Sequence, residues 1–133
     1  MRTIFAALIM MLAFGFGFSA DAQNTERVQL RVGKQKTVTT DKIKIKFVSL
    51  IEDSRCPEGT QCVWAGNAKI KIKVTNKAGK SEFFEINTNA GVRGATFGGY
   101  AINLEELTPS PKVNVRINRY QYTATFSISR LTR

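Results

Sequence analysis

Beyond residue 23, hydrophobic residues recur at every second position along most of the chain. Val28, Leu30 and Val32 alternate with polar neighbours. Ile43, Ile45 and Phe47 alternate with Lys42, Lys44 and Lys46, and Ile70, Ile72 and Val74 alternate with Lys69, Lys71 and Lys73. Val113, Val115 and Ile117 follow the same rule around Asn114 and Arg116, as do Tyr120, Tyr122, Ala124, Phe126 and Ile128. A period of two, with β-branched and aromatic residues at the apolar positions, is the pattern of strands with one face buried and one face wet. No segment after residue 23 carries a long stripe of 3.6-residue period; residues 102–107 are the best short candidate, for a single helical turn. The pattern predicts roughly seven or eight strands with turns about every ten residues, hence an antiparallel β-sandwich, with a small β-barrel as the alternative.

One hairpin can be registered from the sequence. Lys77-Ala78-Gly79 reads as a three-residue loop ending with Gly79 in the left-handed conformation, so that Asn76 closes against Lys80. Counting outward pairs Ile72 with Phe84 and Ile70 with Ile86 on the core face, and Lys71 with Glu85 on the wet face. Parity and charge agree on this register. Two long connections are expected, over residues 52–61 and over residues 88–99. The second, TNAGVRGATFGG, reads as a flexible surface loop; it lacks the G-x-x-x-x-G-K-[ST] spacing of a phosphate cradle. Phe97 and Tyr100 at its end are expected either to grip a ligand or to enter the core.

The N-terminus departs from this pattern. Arg2 precedes an uncharged apolar run over residues 4–18, and Ala20-Asp21-Ala22 supplies a small-x-small cleavage site. Residues 1–22 therefore read as a secretory signal, leaving residues 23–133 as a single β-rich domain exported to the periplasm or the extracellular space. The apolar run is short for a membrane span. Removing the signal takes one base and one acid, so the net charge stays at +10. Export places Cys56 and Cys62 in an oxidising compartment. With only two Cys in the chain they are expected to bond to each other. The ring is small and constrains the unfolded chain by about 2 kcal/mol.

The absence of His excludes Ser-His-Asp and Cys-His catalysis and His-ligated metal sites, and two Cys cannot form a four-thiolate site. Glu52, Asp53 and Glu58 do not follow the spacing of a Ca²⁺-binding loop. No carboxylate pair stands out for hydrolysis, so no catalytic constellation, metal site or cofactor is identified. Trp64 follows Cys62 by two residues and is expected to pack on the disulfide and plug one end of the core; the alternative is an exposed Trp that binds a sugar or a partner. Asp53 and Arg55 flank the ring, either as a salt bridge that braces it or, in the alternative, with Arg55 offered to a protease as an inhibitor loop. The string D-S-R-C-P over residues 53–57, then four residues, then C-x-W-A-G-x-A over residues 62–68, resembles a stretch in small exported bacterial proteins, many of them lipoproteins, largely of unassigned function. The resemblance implies a small β-rich envelope domain and supports the Cys56–Cys62 bond, but it brings no catalytic residue. Those lipoproteins carry a lipid-attachment Cys that is not found after the apolar run in this chain.

The lysine ladders are the strongest physical signal. Lys42, Lys44 and Lys46 are expected to share one wet face, and Lys69, Lys71 and Lys73 another, with Arg116 and Arg119 widening a basic sheet surface. Like charges directly opposite repel, which predicts that the two ladders do not pair without acids between them. Lys on edge strands would deter aggregation. As a functional surface the ladders would attract an anionic envelope polysaccharide, lipid head groups or an acidic protein. Nucleic acid ranks below these because neither ladder interleaves aromatic residues. The expectation is an exported binding module of the cell envelope; the alternatives are a protease inhibitor acting through Arg55 and a hydrolase with unidentified carboxylates. Mass spectrometry of the exported protein is expected to find Gln23 at its N-terminus; a species retaining Met1 would contradict the signal.

Overall fold

The computed structural model describes residue 17, residues 24–38 and residues 42–131. The expected signal falls, apart from Gly17, outside the described residues. Among the described residues eight strands run in chain order: β1 (Glu26–Arg31), β2 (Gln35–Val38), β3 (Ile43–Asp53), β4 (Ala68–Thr75), β5 (Ser81–Asn87), β6 (Gly94–Phe97), β7 (Tyr100–Thr108) and β8 (Thr123–Arg130), with a short 3-10 turn at Arg119–Gln121. They form two antiparallel four-stranded sheets, ordered β1-β8-β7-β6 and β2-β3-β4-β5. The sheets face each other as a sandwich and do not close into a barrel. Among the described residues no helix is long and apolar enough to cross a membrane.

The alternating residues meet between the sheets. Phe47, Ile45, Ile70, Ile72 and Ile86 from one sheet and Phe126, Ile102 and Ile128 from the other are almost completely buried. Phe84 and Phe97, one from each sheet, meet edge to face with centroids 6.1 Å apart at the side of this core. The β4–β5 hairpin has the expected register, pairing Ile72 with Phe84, Ile70 with Ile86 and Lys71 with Glu85. Its loop closes as expected, with Gly79 at φ 84 and Asn76 N donating to Lys80 O at 2.9 Å.

Three segments differ from the sequence expectation. Residues 102–107 are strand, not helix: β7 carries a bulge between Leu104 and Glu106, so Ile102, Leu104 and Leu107 all face inward although their spacing is not strictly two. Residues 88–99 are not a single loop, because residues 94–97 form β6, which joins β7 through the two-residue turn Gly98-Gly99 with both residues at positive φ. Residues 113–117 are not a strand. Pro109 and Pro111 lack the N–H that a ladder needs. Asn114 sits at φ 60, and Val115 N bonds back to Lys112 O at 3.2 Å, turning the chain and leaving Val113 and Val115 exposed.

Phe126 is completely buried between the sheets. Truncation to Ala is expected to cost about 3–5 kcal/mol, read from the urea midpoint at unchanged m-value.

Candidate functional site

The connections β3–β4, β5–β6 and β7–β8 all leave the same end of the sandwich, as the pairings Asp53 with Ala68, Lys69 with Asn87, and Thr108 with Thr123 require. The β3–β4 connection continues the hairpin beyond its strands: Ser54 N donates to Asn67 O at 2.7 Å and Cys56 N to Ala65 O at 2.8 Å. Gly66 lets the two arms touch, since a Cβ there would collide with the Ser54 carbonyl and lie 2.7 Å from the Arg55 Cα. Cys56 and Cys62 form the expected disulfide beyond this corner.

Asp53 and Arg55 form the brace. Arg55 Nε donates to Asp53 Oδ1 at 2.9 Å and Nη2 to Oδ2 at 2.8 Å, a two-point ion pair. Nη1 also donates to Leu107 O at 2.6 Å and Nη2 to Pro109 O at 2.8 Å. Tyr122 completes the set, its hydroxyl donating to Asp53 Oδ2 at 2.9 Å. The Arg55 side chain is 12% exposed and that of Asp53 8%. Arg55 is thus consumed inside the fold, and the inhibitor alternative loses the residue it would have presented.

Trp64 corrects a second expectation. It is 61% exposed and plugs no part of the core. Residues 61–67 are not strand, so its two-residue offset from Cys62 does not aim it at a packed face. Val63 beside it is fully exposed. The tight joint of this end is polar instead, and nothing in the hydrophobic pattern marks it. Buried Asn67 donates through Nδ2 to Asn87 Oδ1 at 2.8 Å, and its Oδ1 accepts from Asn89 N at 3.0 Å and Ala90 N at 3.2 Å.

The lysine face is arranged differently from the expectation. The ladders lie on adjacent strands, with Lys46 directly opposite Lys73, Lys44 opposite Thr75, Lys71 opposite Ser49 and Lys69 opposite Glu52. Lys42 stands in the turn before β3, with φ 56, and Arg116 and Arg119 lie in the β7–β8 connection, so none of the three extends the strand ladder. An aromatic ring lies beside two of these lysines. Phe83 of β5 pairs with Lys73, is 54% exposed, and receives Lys71 Nζ at 4.9 Å and Lys73 Nζ at 5.6 Å from its centroid. The aromatic absent from both ladders is therefore supplied by the neighbouring strand; the hairpin register already placed Phe83 opposite Lys73, and that was the signal available. Among the described residues the ion pairs within 4.0 Å are Arg27–Glu105 and Arg55–Asp53, so the ladder lysines close none. No group of His, Cys, Asp and Glu suited to a metal ion occurs among the described residues. In comparisons with known proteins, no family model, curated protein or solved structure matches the chain.

Burial alone would raise the Asp53 pKa, but hydrogen bonds from Arg55 and Tyr122 and the Arg55 charge outweigh it and hold the carboxyl below its ordinary value of 3.8. Burial, together with the hydrogen bond to Asp53 and its charge, pushes Tyr122 above 10.0. A depressed carboxylate stabilises the fold above its unfolded pKa and loses that contribution as pH falls through the folded value; a raised phenol loses its contribution as pH rises through its own. Arg55→Ala is expected to cost about 3–5 kcal/mol at neutral pH. Asp53→Asn is expected to remove much of the stability lost below pH 3.8, measured by urea unfolding across the acid range.

Proposed function

We propose that the protein is an exported, non-catalytic interaction module of the cell envelope that contacts an anionic partner through the outer face of β3 and β4. The partner classes that fit are an acidic polysaccharide, lipid head groups and an acidic protein. The observation that carries the reading is the position of the lysines. Edge protection would place them on outer strands, but β3 and β4 are the two inner strands of their sheet. There Lys46 and Lys73 stand opposite each other and close no ion pair among the described residues. Facing like charges oppose folding, and an anion laid across them removes that opposition. Phe83 adds an exposed apolar ring between two ammonium groups, which suits a partner carrying both charge and a flat apolar surface, such as an acidic sugar. The disulfide accords with export.

Purified protein is expected to co-sediment with envelope fractions at low salt and to be released at high salt. Each of Lys46→Gln, Lys71→Gln and Lys73→Gln is expected to weaken binding about fivefold, the equivalent of about 1 kcal/mol per charge. Binding that ignores both salt and these substitutions would remove the basic face as the contact.

A further inference from the structure

Nine large hydrophobic side chains are exposed among the described residues, and they are unevenly placed. Six stand on the connections at one end of the sandwich: Val63 and Trp64 on β3–β4, Val92 on β5–β6, and Val113, Val115 and Tyr120 on β7–β8. These connections are tied to one another. Arg55 Nη2 donates to Pro109 O at 2.8 Å, Glu58 N to Pro111 O at 2.8 Å, and Asn89 Nδ2 to Gly66 O at 2.8 Å. The apolar tips therefore belong to one braced platform and not to independent arms. Arg93, Lys112, Arg116 and Arg119 belong to the same connections, where Glu58 is the only acid.

We propose that this end docks on an anionic lipid bilayer, with Val63 and Trp64 entering the head-group region and the basic residues lying against lipid phosphates. Separate apolar tips interspersed with positive charge match a surface that is apolar beneath and negative above. Trp and Tyr are suited to that boundary because each joins a large apolar ring to a polar group. A platform already braced loses little conformational freedom on docking. The contact uses none of the lysines of β3 and β4, so it stands or fails separately from the basic-face reading.

Trp64 is the single Trp of the chain, so its fluorescence reads this contact directly. The full chain is titrated with vesicles of phosphatidylglycerol and phosphatidylcholine, with vesicles of phosphatidylcholine alone, and with a soluble acidic polysaccharide. The apolar N-terminal run is common to all variants, so differences between them report the loop end. On the anionic vesicles, Trp64 emission is expected to move to shorter wavelength and to become shielded from acrylamide. Val63→Glu is expected to weaken vesicle binding about tenfold or more. Arg116→Gln and Arg119→Gln are each expected to weaken it about fivefold. All three positions are solvent-exposed, and circular dichroism checks that each variant is folded. The proposal is overturned if Trp64 emission does not change on anionic vesicles, if Val63→Glu binds as well as the parent, or if the polysaccharide shifts the emission and vesicles do not.

Discussion

The loop end of the sandwich hangs on one buried ion pair. A guanidinium taken out of water needs a carboxylate and further acceptors for its remaining N–H groups, or it destabilises what surrounds it. Arg55 finds the carboxylate at the last residue of β3, and the further acceptors across the sandwich, at the carbonyls of Leu107 in β7 and of Pro109 just beyond it. Tyr122, just before β8, holds the other side of the same carboxylate. The pair therefore joins the two sheets where their hydrophobic faces end. The disulfide cannot substitute for it, because both of its Cys belong to one connection and it stiffens only the tip beyond the corner.

How much of this was legible varies with the physics that governs each segment. The β4–β5 hairpin could be written residue by residue, because strict alternation, a recognisable turn and one charge pair all agreed. β7 is hidden because a bulge adds a residue, and the pattern of Ile102, Leu104 and Leu107 then resembles no strand. Val113, Val115 and Ile117 alternate perfectly yet form no strand, since local alternation cannot report that prolines and a left-handed Asn114 have turned the chain. The Asp53–Arg55 brace was legible from proximity, but its reach to β7 was not, because that contact spans more than fifty residues of sequence. Trp64 escapes the pattern for a related reason: a two-residue offset from Cys62 aims a side chain at a packed face only along a strand, and the corner supplies a bend.

The outside of the molecule divides into two surfaces of different character. The outer face of β3 and β4 is polar, regular and basic, with its geometry set by the strand repeat and its single aromatic borrowed from β5. The loop end is irregular, apolar at its tips, and held by hydrogen bonds that no periodicity encodes. The core is filled mainly by the inward residues of the two sheets, and the loop end adds Tyr122 and the partly buried Ile117 to it. Substitutions at the exposed tips Val63 and Trp64 and at the ladder lysines therefore leave the packed core in place, whereas those at Arg55 or Tyr122 do not.

The pairing of β1 with β8 has a consequence for the order in which the domain is assembled. The first and last strands in chain order lie side by side, and β8 also separates β1 from β7. The sheet that contains them has no completed form until the whole domain has been synthesised, and its closing contact is among the most distant in sequence, a slow kind to make. For the exported role we propose, that delay would leave the sandwich incomplete until the last strand is released, and the Cys56–Cys62 bond would form where an oxidant is present.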